Sequence, residues 1–216
     1  MRTFLLVLLV AVPVEAQNWS ASFGSGPFVF GHFAERTAAI GNENGATTTR
    51  SRLSAATRAG ATADIERDFG RWLAIRLEGT WTRAPLSIKS SSGSSGVALD
   101  AGHIGVTTFV LPLVVRLNRG ALQFHVSGGP AYGLYTIHRS TGAGVTLFEG
   151  TRSRWGAAGG VGVTWWWRPR FGVEWQAADI VTGSPFHISD ISPTSKGVRL
   201  LKPQNGHTTL GVRYRF

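Results

Sequence analysis

Between Trp72 and Arg83 the side chains alternate, with Leu73, Ile75, Leu77, Gly79 and Trp81 at odd positions and Ala74, Arg76, Glu78, Thr80 and Thr82 at even ones. A period of two is the signature of a strand with one apolar and one polar face. The same pattern recurs in Phe171–Ala178, where Phe171, Val173, Trp175 and Ala177 oppose Gly172, Glu174, Gln176 and Ala178. It recurs again at the end of the chain, where Leu210, Val212, Tyr214 and Phe216 oppose Thr209, Gly211, Arg213 and Arg215. Extended along the chain, this template predicts eight strands, at roughly 18–30, 51–66, 71–83, 104–117, 121–136, 153–167, 171–181 and 207–216. The connections then alternate between long (31–50, 84–103, 137–152, 182–206) and short (67–70, 118–120, 168–170). The short ones carry turn chemistry in Asp68-Phe69-Gly70, Asn118-Arg119-Gly120 and Arg168-Pro169-Arg170. The long ones are small and polar, and the run Ser90–Gly96 reads as a flexible loop.

Composition narrows the class. Of 216 residues 28 are Gly and none is Cys, which excludes disulfides, thiolate zinc sites and cysteine nucleophiles and disfavours a helical bundle. The glycine-rich stretch Gly156–Gly162 lacks the Lys-Ser/Thr of a phosphate loop and alternates as a strand with little side-chain bulk. At the N-terminus, Met1-Arg2 precedes an apolar run from Thr3 to Val14 and a small-residue cleavage site at Val14-Glu15-Ala16. Residues 1–16 therefore read as a secretory signal and 17–216 as one barrel domain. No later segment approaches the roughly 20 apolar residues that a membrane-crossing helix requires.

Alternation alone fits a soluble barrel with an apolar interior and a membrane barrel with an apolar exterior. Three features favour the membrane version. Aromatic residues sit near strand ends on the apolar face, with Trp72 or Trp81 flanking strand three, Trp165 and Trp167 closing strand six, and Tyr214 and Phe216 closing strand eight. The polar face carries both signs of charge, at Arg52, Arg58, Asp64, Glu66, Arg76, Glu78, Glu174 and Arg213, which suits pairing across a narrow lumen. Long connections at one rim and tight turns at the other match barrels inserted with their turns in the periplasm. An eight-stranded antiparallel up-and-down barrel has a lumen just wide enough for side chains to fill, so no large aqueous pore is expected.

A signal peptide, eight amphipathic strands and a terminal strand with Leu210, Val212, Tyr214 and Phe216 in alternation resemble the small outer-membrane β-barrel family of Gram-negative bacteria. The resemblance implies an outer-membrane location, contact with the bilayer and lipopolysaccharide, and recognition of that terminal aromatic strand by the barrel-assembly machinery. It implies no particular activity. Some relatives carry a soluble cell-wall-binding domain after the barrel, and none is expected here.

Two His-x-Ser sequences are the enzymatic candidates. His125-Val126-Ser127 resembles the pair of outer-membrane phospholipases, but it lies on the polar, luminal face where a phospholipid does not reach. His187-Ile188-Ser189-Asp190 resembles that of the lipid A deacylases, yet no Glu follows Glu174 to orient the imidazole. The six histidines are isolated, so neither a metal nor another cofactor is expected. Lys and Arg number 22 against 12 Asp and Glu, a net charge of +10. Arginines in strands and turns suit luminal pairing and contact with anionic headgroups; alternatively they line an anion path or grip lipopolysaccharide phosphates. The charge is not arranged as a nucleic-acid surface. The chain thus reads as a monomeric, non-enzymatic barrel with a structural, surface-interaction or narrow-channel role. The rivals are a lipid A deacylase-like hydrolase and a soluble periplasmic ligand-binding barrel.

Overall fold

The computed structural model describes residues 18–42, 45–92, 95–140, 148–190 and 197–216, so the signal read at 1–16 lies outside the described residues. In chain order the strands are β1 (Trp19–Phe30), β2 (His32–Asn42), β3 (Gly45–Ala55), β4 (Arg58–Asp68), β5 (Leu73–Ser92) and β6 (Ser95–Val110). They continue as β7 (Leu113–Arg119), β8 (Leu122–Arg139), β9 (Gly150–Trp166), β10 (Phe171–Thr182), β11 (Val198–Leu200) and β12 (Gln204–Arg215). A 3₁₀ turn, Ile188–Asp190, follows β10.

These strands make eight staves. β1 continues into β2 past Gly31, and the register against β3 shifts between His32 and Ala34. β3 continues into β4 past Ala56-Thr57, and β6 into β7 past Leu111-Pro112. Pro112 has no amide hydrogen to give the ladder, although its carbonyl still accepts from the Arg76 amide at 3.1 Å. Antiparallel pairing runs from β1 to β4, β4 to β5, and β5 to both β6 and β7. From there it passes through β8, β9 and β10 to β12. β12 then pairs β1, from Ser20 opposite Arg215 to Phe30 opposite Asn205, which closes the ring. Closure leaves no unpaired edge along the wall, the condition a sheet must meet to cross a bilayer.

The tight connections sit at one end. Gly70 (φ 91°) and Gly120 (φ 61°) adopt the left-handed conformation that two of these turns require, and no atom stands within 4 Å of where either Cβ would be. At the other end the staves extend further than the sequence reading placed them. The segments 31–50 and 84–103, expected as loops, continue largely as the hairpins β2–β3 and β5–β6, and Val198–Leu200 adds a short strand to β2. The serine run is strand up to Ser92 and again from Ser95, within a hairpin whose β5 arm also pairs β3. Serine has little intrinsic strand preference, but Ser90–Ser92 pair with β3 on one side and β6 on the other, and Ser51 Oγ lies 2.8 Å from Ser90 Oγ.

The outer wall near the turn end is apolar, with Leu77, Phe23, Leu113, Phe124, Trp175 and Leu210 all exposed. Trp72, Trp165, Trp167 and Phe171 ring its lower border, and Trp81, Phe109 and Trp155 stand higher on the wall. Alternation in strand one stays in register through Gly26-Pro27, with Ser20, Phe28 and Phe30 buried and Phe23 and Val29 exposed.

Candidate functional site

The interior has two storeys. In the lower one, nearest the turns, Asp64 and Glu66 from β4, Arg76 and Glu78 from β5, Arg116 from β7, Glu174 from β10 and Arg213 from β12 are all buried. The Arg213 guanidinium occupies the centre. Its Nη2 donates to both Asp64 oxygens at 2.8 and 3.0 Å, its Nη1 to Glu66 Oε1 at 3.0 Å and Ser20 Oγ at 2.9 Å, and its Nε to Glu174 Oε2 at 2.7 Å. Arg76 mirrors it, donating from Nε to Glu66 Oε2 at 2.9 Å, from Nη1 to Gln176 Oε1 at 2.7 Å and from Nη2 to Glu174 Oε1 at 3.1 Å. Gln176 passes the chain on through Nε2 to Glu78 Oε2 at 2.8 Å. Arg116 closes the lower side against Glu66 and, at 2.6 Å, Asp68. Asp64, Glu66 and Glu174 are each held by several charge-assisted donors, the arrangement in which buried charges are compensated.

The network thus joins six of the residues selected from sequence: Asp64, Glu66, Arg76, Glu78, Glu174 and Arg213. It does not include Arg52 or Arg58. Arg52 stands above the β3–β4 break, where its Nε lies 3.6 Å from Glu35. Arg58 is exposed, in register with Phe28 at the level where the interior becomes apolar, and forms no ion pair among the described residues. A guanidinium buried at that level would lack a counter-charge. Residues absent from the selection complete the network: Arg116, Gln176, His125 and His207, the two imidazoles each 3.6 Å from a carboxylate. Alternation was the available signal, since Arg116 follows Val114 on the inner face and Gln176 follows Glu174. Space for His125 comes from the opposing strand, because a Cβ on Gly162 would lie 2.5 Å from its ring.

The upper storey is apolar. Phe28, Phe30, Phe33, Leu53, Leu86, Ile104, Val106, Tyr135, Ile137 and Phe186 form one buried cluster. Phe186 enters from the segment after β10 and meets Phe33 edge to face, with centroids 5.6 Å apart. Arginines on β9 latch that segment. Arg152 pairs with Asp190 and donates to the Pro185 carbonyl at 3.1 Å, and Arg154 Nε donates to the Ser184 carbonyl at 2.6 Å. Burial pushes the Asp190 carboxyl up, but the Arg152 hydrogen bonds and the His187 amide outweigh it and hold the group below its ordinary value. On the outside of the upper hairpins a groove of about 530 Å³ is lined by His32, Arg50, Arg52 and Lys89 with serines. Glu35 pairs with Arg50 there and is held below the usual carboxylate range.

Neither His-x-Ser sequence assembles a catalytic arrangement. His125 faces Glu174, whereas Ser127 Oγ lies 3.5 Å from the Gly160 carbonyl. His187 Nε2 lies 3.4 Å from an Arg154 nitrogen, and Asp190 is occupied by Arg152 and the His187 amide rather than the imidazole. Among the described residues no group of three potential metal ligands occurs. Within the barrel the voids beside Glu174 and beside Glu78 are each about 10 Å³, space for a single water.

No family model matches the sequence, and no curated protein matches it. Solved structures do share its fold. The outer membrane protein OprG from Pseudomonas aeruginosa superposes with a TM-score of 0.60 at 12% identity, over 93% of this chain and 96% of that one. The outer membrane protease OmpT from Escherichia coli gives 0.55 at 11% identity, covering 96% and 99%. Neisserial surface protein A gives 0.50 at 10%, covering 92% and 96%. The fold is therefore that of the small outer-membrane β-barrels.

Proposed function

We propose that the protein is a non-enzymatic integral outer-membrane barrel whose lumen is sealed by side chains and whose role is an interaction carried by the hairpins above the membrane. The observation that carries this reading is the filling of the lumen: a charge network and an apolar cluster stacked on one another, with voids of about 10 Å³ beside the network. An unbroken file of water needs far more space. The exposed Leu, Phe and Trp residues of the lower wall supply the lipid-facing band, and the terminal strand displays Leu210, Val212, Tyr214 and Phe216 in alternation for the assembly machinery to read. The leader at 1–16 delivers the chain to the periplasm and is cleaved, and closure of the ring makes the monomer self-sufficient. A protease is among the proteins that share the fold, so the fold itself leaves chemistry open. The non-enzymatic reading is supported by the partners these groups take instead, Ser127 the Gly160 carbonyl and His187 the Arg154 guanidinium.

The test is ion conductance of refolded residues 17–216 in a planar bilayer. The expected result is silence at moderate voltage. Steady openings with a defined anion or cation preference would overturn the sealed lumen and make the protein a channel.

A further inference from the structure

The turn end carries a recess that the lumen network does not use. A pocket of about 340 Å³ opens there, and its lining includes Asp68, Arg71, Arg116, Gln123, Trp166 and Arg215. Asp68 and Arg116 neutralise one another at 2.6 Å, and Arg116 also faces Glu66. Arg71 and Arg215 have no carboxylate partner among the described residues. Arg215 lies over the indole of Trp166, with its central carbon 4.1 Å from the ring centroid. Stacking of this kind holds a guanidinium plane while leaving its edge donors free. The indole Nε1–H of the same Trp166 is buried and has no hydrogen-bond partner. Around the recess, Arg67, Arg119, Arg168 and Arg170 add exposed positive charge at the same rim.

We propose that this recess is an oxyanion site for a phosphate group, held between Arg71 and Arg215, with the Trp166 ring backing the Arg215 guanidinium. Guanidinium edges match phosphate oxygens two at a time, and two such forks on one recess suit a tetrahedral anion. The recess has room for more than bare phosphate, so it admits a phosphate bearing a small organic substituent, whether the headgroup of a lipid in the nearer leaflet or a free phosphate ester. The site stands on the turn end alone and does not depend on how the upper hairpins are used.

The experiment is a ¹⁵N NMR titration of the refolded chain in alkyl maltoside micelles, which contain no phosphate. It follows the Trp166 indole, assigned with Trp166→Phe, and the Arg215 Nε–H. Inorganic phosphate is expected to shift both to saturation, while chloride at equal ionic strength does not. The double variant Arg71→Gln, Arg215→Gln is expected to weaken the apparent affinity by roughly tenfold or more with the other amide signals in place. Non-saturating shifts common to phosphate and chloride, or saturation unaffected by the double variant, would overturn the site. In phospholipid nanodiscs, a Trp166 signal already at its saturated position identifies the lipid headgroup as the source. A signal that still titrates identifies the free ester, and either result supports phosphate recognition.

Discussion

The two storeys of the barrel obey opposite rules. Along the lower part of β5, Leu73, Ile75, Leu77 and Trp81 face out and Arg76 and Glu78 face in. Above Thr82, the outward positions become Arg83, Pro85, Ser87 and Lys89 and the inward ones Ala84 and Leu86, with no change in which parity points inward. β8 makes the same exchange, from Gln123 and His125 inside to Tyr135 and Ile137 inside, and from Leu122 and Phe124 outside to Thr136 and His138 outside. The lower storey is built for a medium that is apolar outside, and the upper storey is built as a water-soluble barrel is. Where the solvent changes, the chemistry on each face of these two strands is exchanged while β5 and β8 themselves run on unbroken.

The comparison can be broken most severely at Arg213. Replacing it with Leu strands Asp64, Glu66 and Glu174 in the lower storey, and the expected loss is about 4 kcal/mol in urea unfolding of the vesicle-inserted barrel. Leu86→Ala in the upper storey is expected to cost roughly 3 kcal/mol through the cavity it leaves, with amide exchange accelerating in β2, β3 and the 183–190 segment before the lower wall. Moving charge to the wrong face sharpens the contrast: Leu77→Arg, in the middle of the lower wall, is expected to cost roughly 2.5 kcal/mol, whereas Lys89→Leu on the same face above changes stability by less than about 0.5 kcal/mol. The smallest effect is the latch. Because the Asp190 carboxyl is lowered in the folded protein, its contribution is fully present above its unfolded value, near pH 4, and fades as pH falls through the lower folded value. Limited proteolysis after residue 183 should therefore be equal at pH 7 and pH 5 and rise only below about pH 4. Arg152→Gln should raise it at every pH.

Strand number, turn positions and, below the break at Ala56-Thr57, inward parity were legible in the chain, because two-residue alternation survives wherever one face is buried. The ends of the strands were not. Strand three was placed to end at Arg83, the residue at which the outward face becomes polar, since a loss of outward apolar residues looks like a loop when one solvent is assumed throughout. Arg52 and Arg58 were assigned to the lumen for a related reason. They share the even parity of Asp64 and Glu66, but above the break at Ala56-Thr57 the inward residues are Leu53 and Ala55, so Arg52 turns outward opposite Lys89, and Arg58 stands at the level of the apolar interior. The charge network was legible as a set of inward residues of both signs, yet its ion pairs span up to 149 positions in sequence and depend on ring closure, which no local pattern records. Arg116, His125 and Gln176 were visible on the correct face. Their membership follows only from where the staves meet.

The most direct test of the two-storey account is a nitroxide scan of outward sites on β5, at Leu73, Leu77, Trp81, Pro85 and Lys89, in the refolded protein in lipid vesicles, comparing oxygen with a water-soluble nickel chelate as relaxers. The account predicts oxygen-dominated relaxation up to Trp81 and a crossover to the nickel chelate from Pro85 upward. Chelate access along the whole strand, or oxygen dominance as far as Lys89, would contradict it.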